Sequence, residues 1–404
     1  MESLLHRSNG IQQIPFLLLV ISCGISSGTL MIIALMLHIA VCYRNNTSFW
    51  GPIVSSRVFR HSLVFIAIFF GCSLLTIPFN DGNIVQLFKY MERAIPLLLV
   101  AIIARPDEMT FRIAWYGVLI SLLFILLSVV QYPIWSGHRL CGPFSSPNTL
   151  AGLIVVMIPV ALFGIIRYRK DSFYQVLLAT FLTLISIVVM LCTGSRNAYG
   201  TFGLSFLLLL WFVYRYHDLI SLRIMGIITV LSVIVVVSIA PGILTQRLDR
   251  NPQQDGRVYL MQSGLQLVEE HPIIGIGVGN WGKVYKERFE EDNPNHEKNI
   301  QSPHNIYLHI FNETGIIGLL GFLTLIIYQI KLLYASICQS YRMNSRAFPW
   351  SIGFGLSIIS VYLFGLLDYD FFSRHMMHIY WLMWGMCLCT VYSSLQLLRH
   401  NKIT

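Results

Sequence analysis

Four side chains in this sequence have the types and settings to act on a phosphorylated substrate: Arg139, Arg196, Arg257 and His304. A guanidinium is planar, permanently charged and bidentate, so arginines converging on one place suit a phosphate or diphosphate. Arg139 opens the turn-rich segment Arg139-Leu140-Cys141-Gly142-Pro143-Phe144-Ser145-Ser146-Pro147-Asn148, which leads into an apolar run whose first amides favour an anion. Arg196 lies in Thr193-Gly194-Ser195-Arg196-Asn197, with almost no loop between the flanking apolar runs. Arg257 follows Gly256 and precedes Val258, Met261, Leu265 and Val268 at helical spacing. Taken singly, each arginine also suits a helix cap or an interfacial anchor. His304 follows Pro303 and opens the apolar run Asn305-Ile306-Tyr307-Leu308-His309-Ile310-Phe311. An imidazole at such a boundary can take a proton from a hydroxyl, although a histidine near a helix start more often serves structure.

Composition dictates what holds these residues. The 404 residues are 55% hydrophobic and 12% charged, with a mean hydropathy of +0.65, too apolar for one soluble domain. A hydrocarbon core of about 30 Å needs roughly 20 apolar residues per helix. Such runs fall near 14–42, 61–79, 84–104, 112–134, 148–167, 174–192, 197–214 and 222–240, and again at 306–334, 348–367 and 376–397. The expectation is an all-α polytopic membrane protein with 11–12 transmembrane helices and one long external, periplasmic helical loop domain. The count is 12 if the 29-residue first run breaks at Ser22-Cys23-Gly24-Ile25-Ser26-Ser27-Gly28, and 11 if it does not. The domains then read as an N-terminal bundle of eight or nine spans at 1–240, a catalytic loop domain at 241–304, and a C-terminal bundle of three spans at 305–404. The first apolar run reads as a retained span, since it lacks a small-residue cleavage site.

Lysines and arginines gather on one set of loops: Arg44, Arg57, Arg60, Arg105, Arg112, Arg167, Arg169, Lys170, Arg215, Arg223, Lys331, Arg342, Arg346, Arg399 and Lys402. The opposite short loops hold Lys89, Arg93, Arg139, Arg196 and Arg374. That asymmetry puts the first set in the cytoplasm and the long polar stretch outside, with an external N-terminus for 11 spans or a cytoplasmic one for 12. The net charge of +9 is read as this topology signal and not as a nucleic-acid surface. Eight cysteines lie mostly in or beside apolar runs, without zinc-ligand spacing. The acidic run around His296 lacks the glycine and alternating ligands of a calcium loop, so no metal is expected. Gly275, Gly277 and Gly279 lack the spacing and the βαβ setting of a dinucleotide site and read as a tight turn that admits a neighbouring backbone or a ligand. His309 reads as packing. Asp368 and Asp370 stand ready to pair with Arg374 or with a site arginine.

From Arg139 onward the chain resembles the O-antigen ligase and O-antigen polymerase superfamily of bacterial membrane glycosyltransferases, most of all the ligases. The resemblance rests on Gly142-Pro143-Phe144-Ser145-Ser146-Pro147-Asn148-Thr149-Leu150-Ala151-Gly152, Thr193-Gly194-Ser195-Arg196 and Gly256-Arg257. It rests also on the His271-to-Trp281 run, and on Ser302-Pro303-His304-Asn305 followed by Glu313-Thr314-Gly315-Ile316-Ile317-Gly318. What it implies is metal- and ATP-independent transfer of a glycan from undecaprenyl diphosphate to a sugar hydroxyl of lipid A-core, on the periplasmic face of the inner membrane and with no cofactor. Arg196 and Arg257 would clamp the diphosphate, Arg139 would add a secondary contact, and His304 would activate the acceptor. Joining of lipid-linked repeat units by a polymerase, polysaccharide transport and oligosaccharide transfer to protein remain alternatives. Donor glycan, acceptor sugar and oligomeric state are open.

Overall fold

In a computed structural model, residues 2–136, 139–216, 256–294, 296, 298–368 and 370–400 are described. The chain begins with α1 (Glu2–Gly24), α2 (Gly28–Asn45) and α3 (Arg57–Thr76), then α4 (Ile84–Glu92), α5 (Ile95–Ile103) and α6 (Glu108–Gln131). A short hairpin, β1 (Trp135–Ser136) paired antiparallel with β2 (Arg139–Leu140), precedes α7 (Pro147–Tyr168), α8 (Phe173–Cys192) and α9 (Arg196–Arg215). The polar stretch supplies α10 (Gly256–Glu270) and α11 (Trp281–Arg288), and the chain closes with α12 (Ile306–Arg342), α13 (Phe348–Phe364) and α14 (Arg374–His400). Among the described residues, seven helices are long and apolar enough to cross a bilayer. The all-α polytopic expectation therefore holds. The expected span at 222–240, and the start of the loop domain at 241–255, lie outside the described residues.

Two apolar runs are broken, the first where the sequence leaves a break open and the run at 84–104 where a single span is expected. The first run divides at Ser26, which takes a left-handed φ of 56°, and Ser27 then caps α2 by accepting from the Leu30 N–H at 3.3 Å. The run at 84–104 divides into α4 and α5, nine residues each. At about 1.5 Å per residue, neither crosses a hydrocarbon core alone. Arg93 stands at that junction, donating to the Phe372 carbonyl and lying 5.5 Å from the Tyr90 ring centroid, while Pro96 occupies the first turn of α5. A guanidinium between apolar helices needs polar partners, and the Phe372 carbonyl supplies one.

Apolar residues fill both the interior and the outer face. Helix α7 is buried along its length and lies against α13, whereas Leu75, Leu178 and Leu207 on outer helices are exposed, as a lipid-facing surface requires. Hydroxyls lock helices together inside, with Ser340 2.6 Å from Ser394 and Ser205 2.8 Å from Ser360. The polar stretch carries its own small core of Leu260, Leu267, Trp281, Tyr285 and Phe289. At one end of the bundle Arg112 meets Asp171 at 2.5 Å and Arg167 meets Glu108 at 3.0 Å, joining loops that charge counting had placed together. The other end carries the four residues singled out in the sequence.

Candidate functional site

The site is organised by the C-terminal end of α13. The last carbonyls of a helix lack partners within it and must find them elsewhere. Here the Phe364 carbonyl accepts from the Asn197 side chain at 2.6 Å, Gly365 from the Ile306 N–H at 2.9 Å, and Leu366 from the Asn305 side chain at 2.9 Å. The N-termini of α9 and α12 therefore converge on one helix end, an arrangement the opposed helix dipoles favour. Arg196 precedes Asn197 and His304 precedes Asn305, so both sit on the same rim.

Asp368, just beyond this end, is buried and sits between Arg257 and His304. Its Oδ2 is 3.4 Å from Arg257 Nη2 and its Oδ1 is 3.5 Å from His304 Nδ1. The His304 contact has ion-pair reach without hydrogen-bond alignment. His304 adopts a left-handed φ of 53°, sparsely populated for a side chain other than glycine, and its N–H donates to Ser302 Oγ at 3.3 Å. Asn305 then caps α12 by accepting from the Leu308 N–H at 2.9 Å. The imidazole is 28% exposed and Asp368 only 4%, so a substrate reaches the histidine and not the acid.

Arg196 is the first residue of α9, exposed, with Ser195 capping the helix by accepting from the Ala198 N–H at 3.4 Å. Arg139 supports that turn from behind. It donates through Nε to the Thr193 carbonyl at 2.9 Å and through Nη2 to Asn148 Oδ1 at 2.6 Å, tying the hairpin to the starts of α7 and α9.

The run from His271 to Trp281 forms a clasp. Helix α12 is interrupted at Gly315, with φ 63° and ψ −165°, which leaves backbone groups inside the bundle to be satisfied. Ile276 N–H donates to the Asn312 carbonyl at 2.8 Å, Gly277 N–H to the Glu313 carbonyl at 3.0 Å, and Ile316 N–H to the Pro272 carbonyl at 2.9 Å. On its other side the run takes the Asn83 N–H on the Val278 carbonyl at 2.8 Å and the Asn80 side chain on the Ile274 carbonyl at 2.5 Å. The approach is close enough that a Cβ on Gly315 would lie 2.1 Å from the Ile273 carbonyl oxygen, and one on Gly275 2.5 Å from that of Asn312. The turn expected from the glycines is present, and the backbone it admits is the interrupted helix.

Beside the clasp a cavity of about 340 Å³ opens between α4, α11 and the Gln301 and Phe372 segments, with Glu313 at its wall. His309 and Glu313 form a buried pair at 3.3 Å. Sequence reasoning left Arg93, Glu313 and this cavity without a role, and named Asp368 only as a partner for an arginine. The signals were acids and a base at the edges of apolar runs, where a charge is costly without a partner.

Residues 181–323 match the protein family described as O-antigen ligase, a stretch that includes Arg196, Arg257, the clasp and His304. The match supports the O-antigen ligase superfamily and, at the level of activity, glycan transfer of the ligase and polymerase kind. Together with the apolar helices it marks a multi-pass membrane protein. No curated protein matches the chain significantly.

Proposed function

We propose that this protein is an O-antigen ligase, moving a glycan from undecaprenyl diphosphate to a sugar hydroxyl of lipid A-core on the periplasmic side of the inner membrane. The observation that carries this reading is the buried Asp368 carboxylate shared by His304 and Arg257. Asp368 Oδ1 stands 3.5 Å from His304 Nδ1, so its charge would stabilise the imidazolium formed when Nε2 takes the acceptor's proton. The acceptor oxygen attacks the anomeric carbon, its proton passes to His304 Nε2, and the bond from that carbon to the diphosphate oxygen breaks. Undecaprenyl diphosphate departs with the bonding electrons. Arg257 and Arg196 stabilise the charge gathering on it, and Arg139 holds the Arg196 turn in place and adds a secondary contact. A single displacement inverts the anomeric centre, so a retained linkage in the product would contradict the mechanism.

The interruption of α12 is the kind of feature transporters use at their solute sites. Here the carbonyls it frees accept from Ile276 and Gly277, which favours a structural clasp over ion coordination. The test is transfer in vitro with purified protein, undecaprenyl diphosphate-linked glycan and lipid A-core, without ATP or added metal. Glycan on lipid A-core, lost in His304→Ala and Arg196→Ala, is the expected result. Elongation of the lipid-linked glycan would make the protein a polymerase, and no product would remove it from the enzyme class.

A further inference from the structure

We infer that the cavity beside the clasp is the acceptor subsite, which binds an uncharged stretch of saccharide and presents its hydroxyl to His304. The inference rests on the glycosyl-transfer reading and adds the residues that would recognise the acceptor. At about 340 Å³ the cavity falls within the ~300–1,000 Å³ of small-molecule sites. Gln301 lies just before the Ser302-Pro303-His304 turn and Phe372 shortly after Asp368, so the cavity is lined by the segments that carry the base and its acid.

Its lining chemistry separates it from the arginine rim. Asn83, Gln86 and Gln301 offer amide donors and acceptors, and buried Tyr90 offers an aromatic wall. Glu313 supplies a carboxylate, 5% exposed, whose position is fixed by His309 at 3.3 Å. Arg93 is engaged by the Phe372 carbonyl and lies against the Tyr90 ring. Arg93 and Glu313 put one charge of each sign on the wall, and amides, an acid and an aromatic face are what a polyhydroxylated ring needs for hydrogen bonds and stacking. Arg196, at the start of α9, and Arg139, which braces its turn from β2, are not among the residues lining the cavity. With the acceptor hydroxyl beside His304 and the diphosphate held by the arginines, the two would lie on opposite sides of the anomeric carbon, as a displacement with inversion requires.

The experiment measures binding by the purified full-length protein in nanodiscs, apart from transfer. Probes are delipidated core oligosaccharide, a free O-antigen repeat-unit oligosaccharide, and undecaprenyl diphosphate. Gln86→Ala, Gln301→Ala and the isosteric Glu313→Gln should each weaken saccharide binding roughly tenfold, about one hydrogen bond's worth. Undecaprenyl diphosphate binding should be retained, which also shows that the variants are folded. Saccharide affinity unchanged in all three, loss of diphosphate binding with saccharide binding intact, or no binding of either oligosaccharide by wild type would each overturn the assignment. If only the repeat-unit oligosaccharide binds, sensitive to the same substitutions, the subsite stands and the ligase reading falls.

Discussion

Two histidine–carboxylate pairs sit at the start of α12, and they differ in what each hides. His309 and Glu313 are neighbours on one helical face, with side chains 2% and 5% exposed. His304 and Asp368 are brought together by the tertiary fold, and there the histidine is 28% exposed while the acid is 4%. The first pair keeps its imidazole among the packed aromatics, 5.7 Å from Phe372 between ring centroids, and turns its acid toward a cavity. The second buries its acid and turns the imidazole outward. Similar groups at similar distances thus become a rigid wall in one case and a reachable base in the other. Burial of one partner decides which.

The sharpest way to break this comparison is to remove the reachable base. His304→Ala should lower the transfer rate by about 10²–10⁴-fold with donor binding kept, measured by single-turnover kinetics. Asp368→Asn keeps the shape and removes the charge, so a loss of about 10²-fold or more is expected, with kcat falling more than KM rises. Gly315→Ala acts on the half-helix that carries His309 and Glu313. With a backbone conformation open to glycine and a carbonyl in the way, it should destabilise by about 3 kcal/mol or more, seen as a lowered melting temperature. His309→Gln should leave the shape of the pH–rate profile of transfer unchanged while lowering stability by about 1–3 kcal/mol, because the buried acid loses its partner. A change in that profile would erase the distinction between the two pairs.

An exposed pair provides the lower limit. Arg288 grips Glu270 at 2.6 and 2.7 Å and holds its carboxyl down from 4.5 to about 2. A lowered folded value means that the pair's stabilisation is full above 4.5 and lost as pH falls toward about 2. At such exposure it is worth about 1 kcal/mol or less, so the melting difference between wild type and Glu270→Gln should be small at neutral pH and vanish on acidification.

Hydropathy made the fold class legible, because spanning helices leave a signal that needs no knowledge of partners. It failed where a partner sets the structure. The run at 84–104 sums as one span although Arg93 reaches the Phe372 carbonyl, and 306–334 reads straight through Gly315 because the groups that satisfy the break come from residues 272–277. For the candidate site, the arginines and His304 stood out by type and setting. Asp368 was visible as an acid in search of a cation, but its contact with His304 depends on the end of α13 meeting the start of α12, which no local pattern encodes.

The clasp at Gly315 also sets an order of assembly. Synthesis runs from the N-terminus, so Asn80, Asn83 and the His271-to-Trp281 run exist before the Asn312-to-Ile316 segment that completes the hydrogen-bonded set. Until that run is in place, the break in α12 has unsatisfied peptide groups in a setting without water. Placement of the polar stretch must therefore precede the final seating of α12, so the half-helix bearing the buried pair locks only after residues 272–277 are in position.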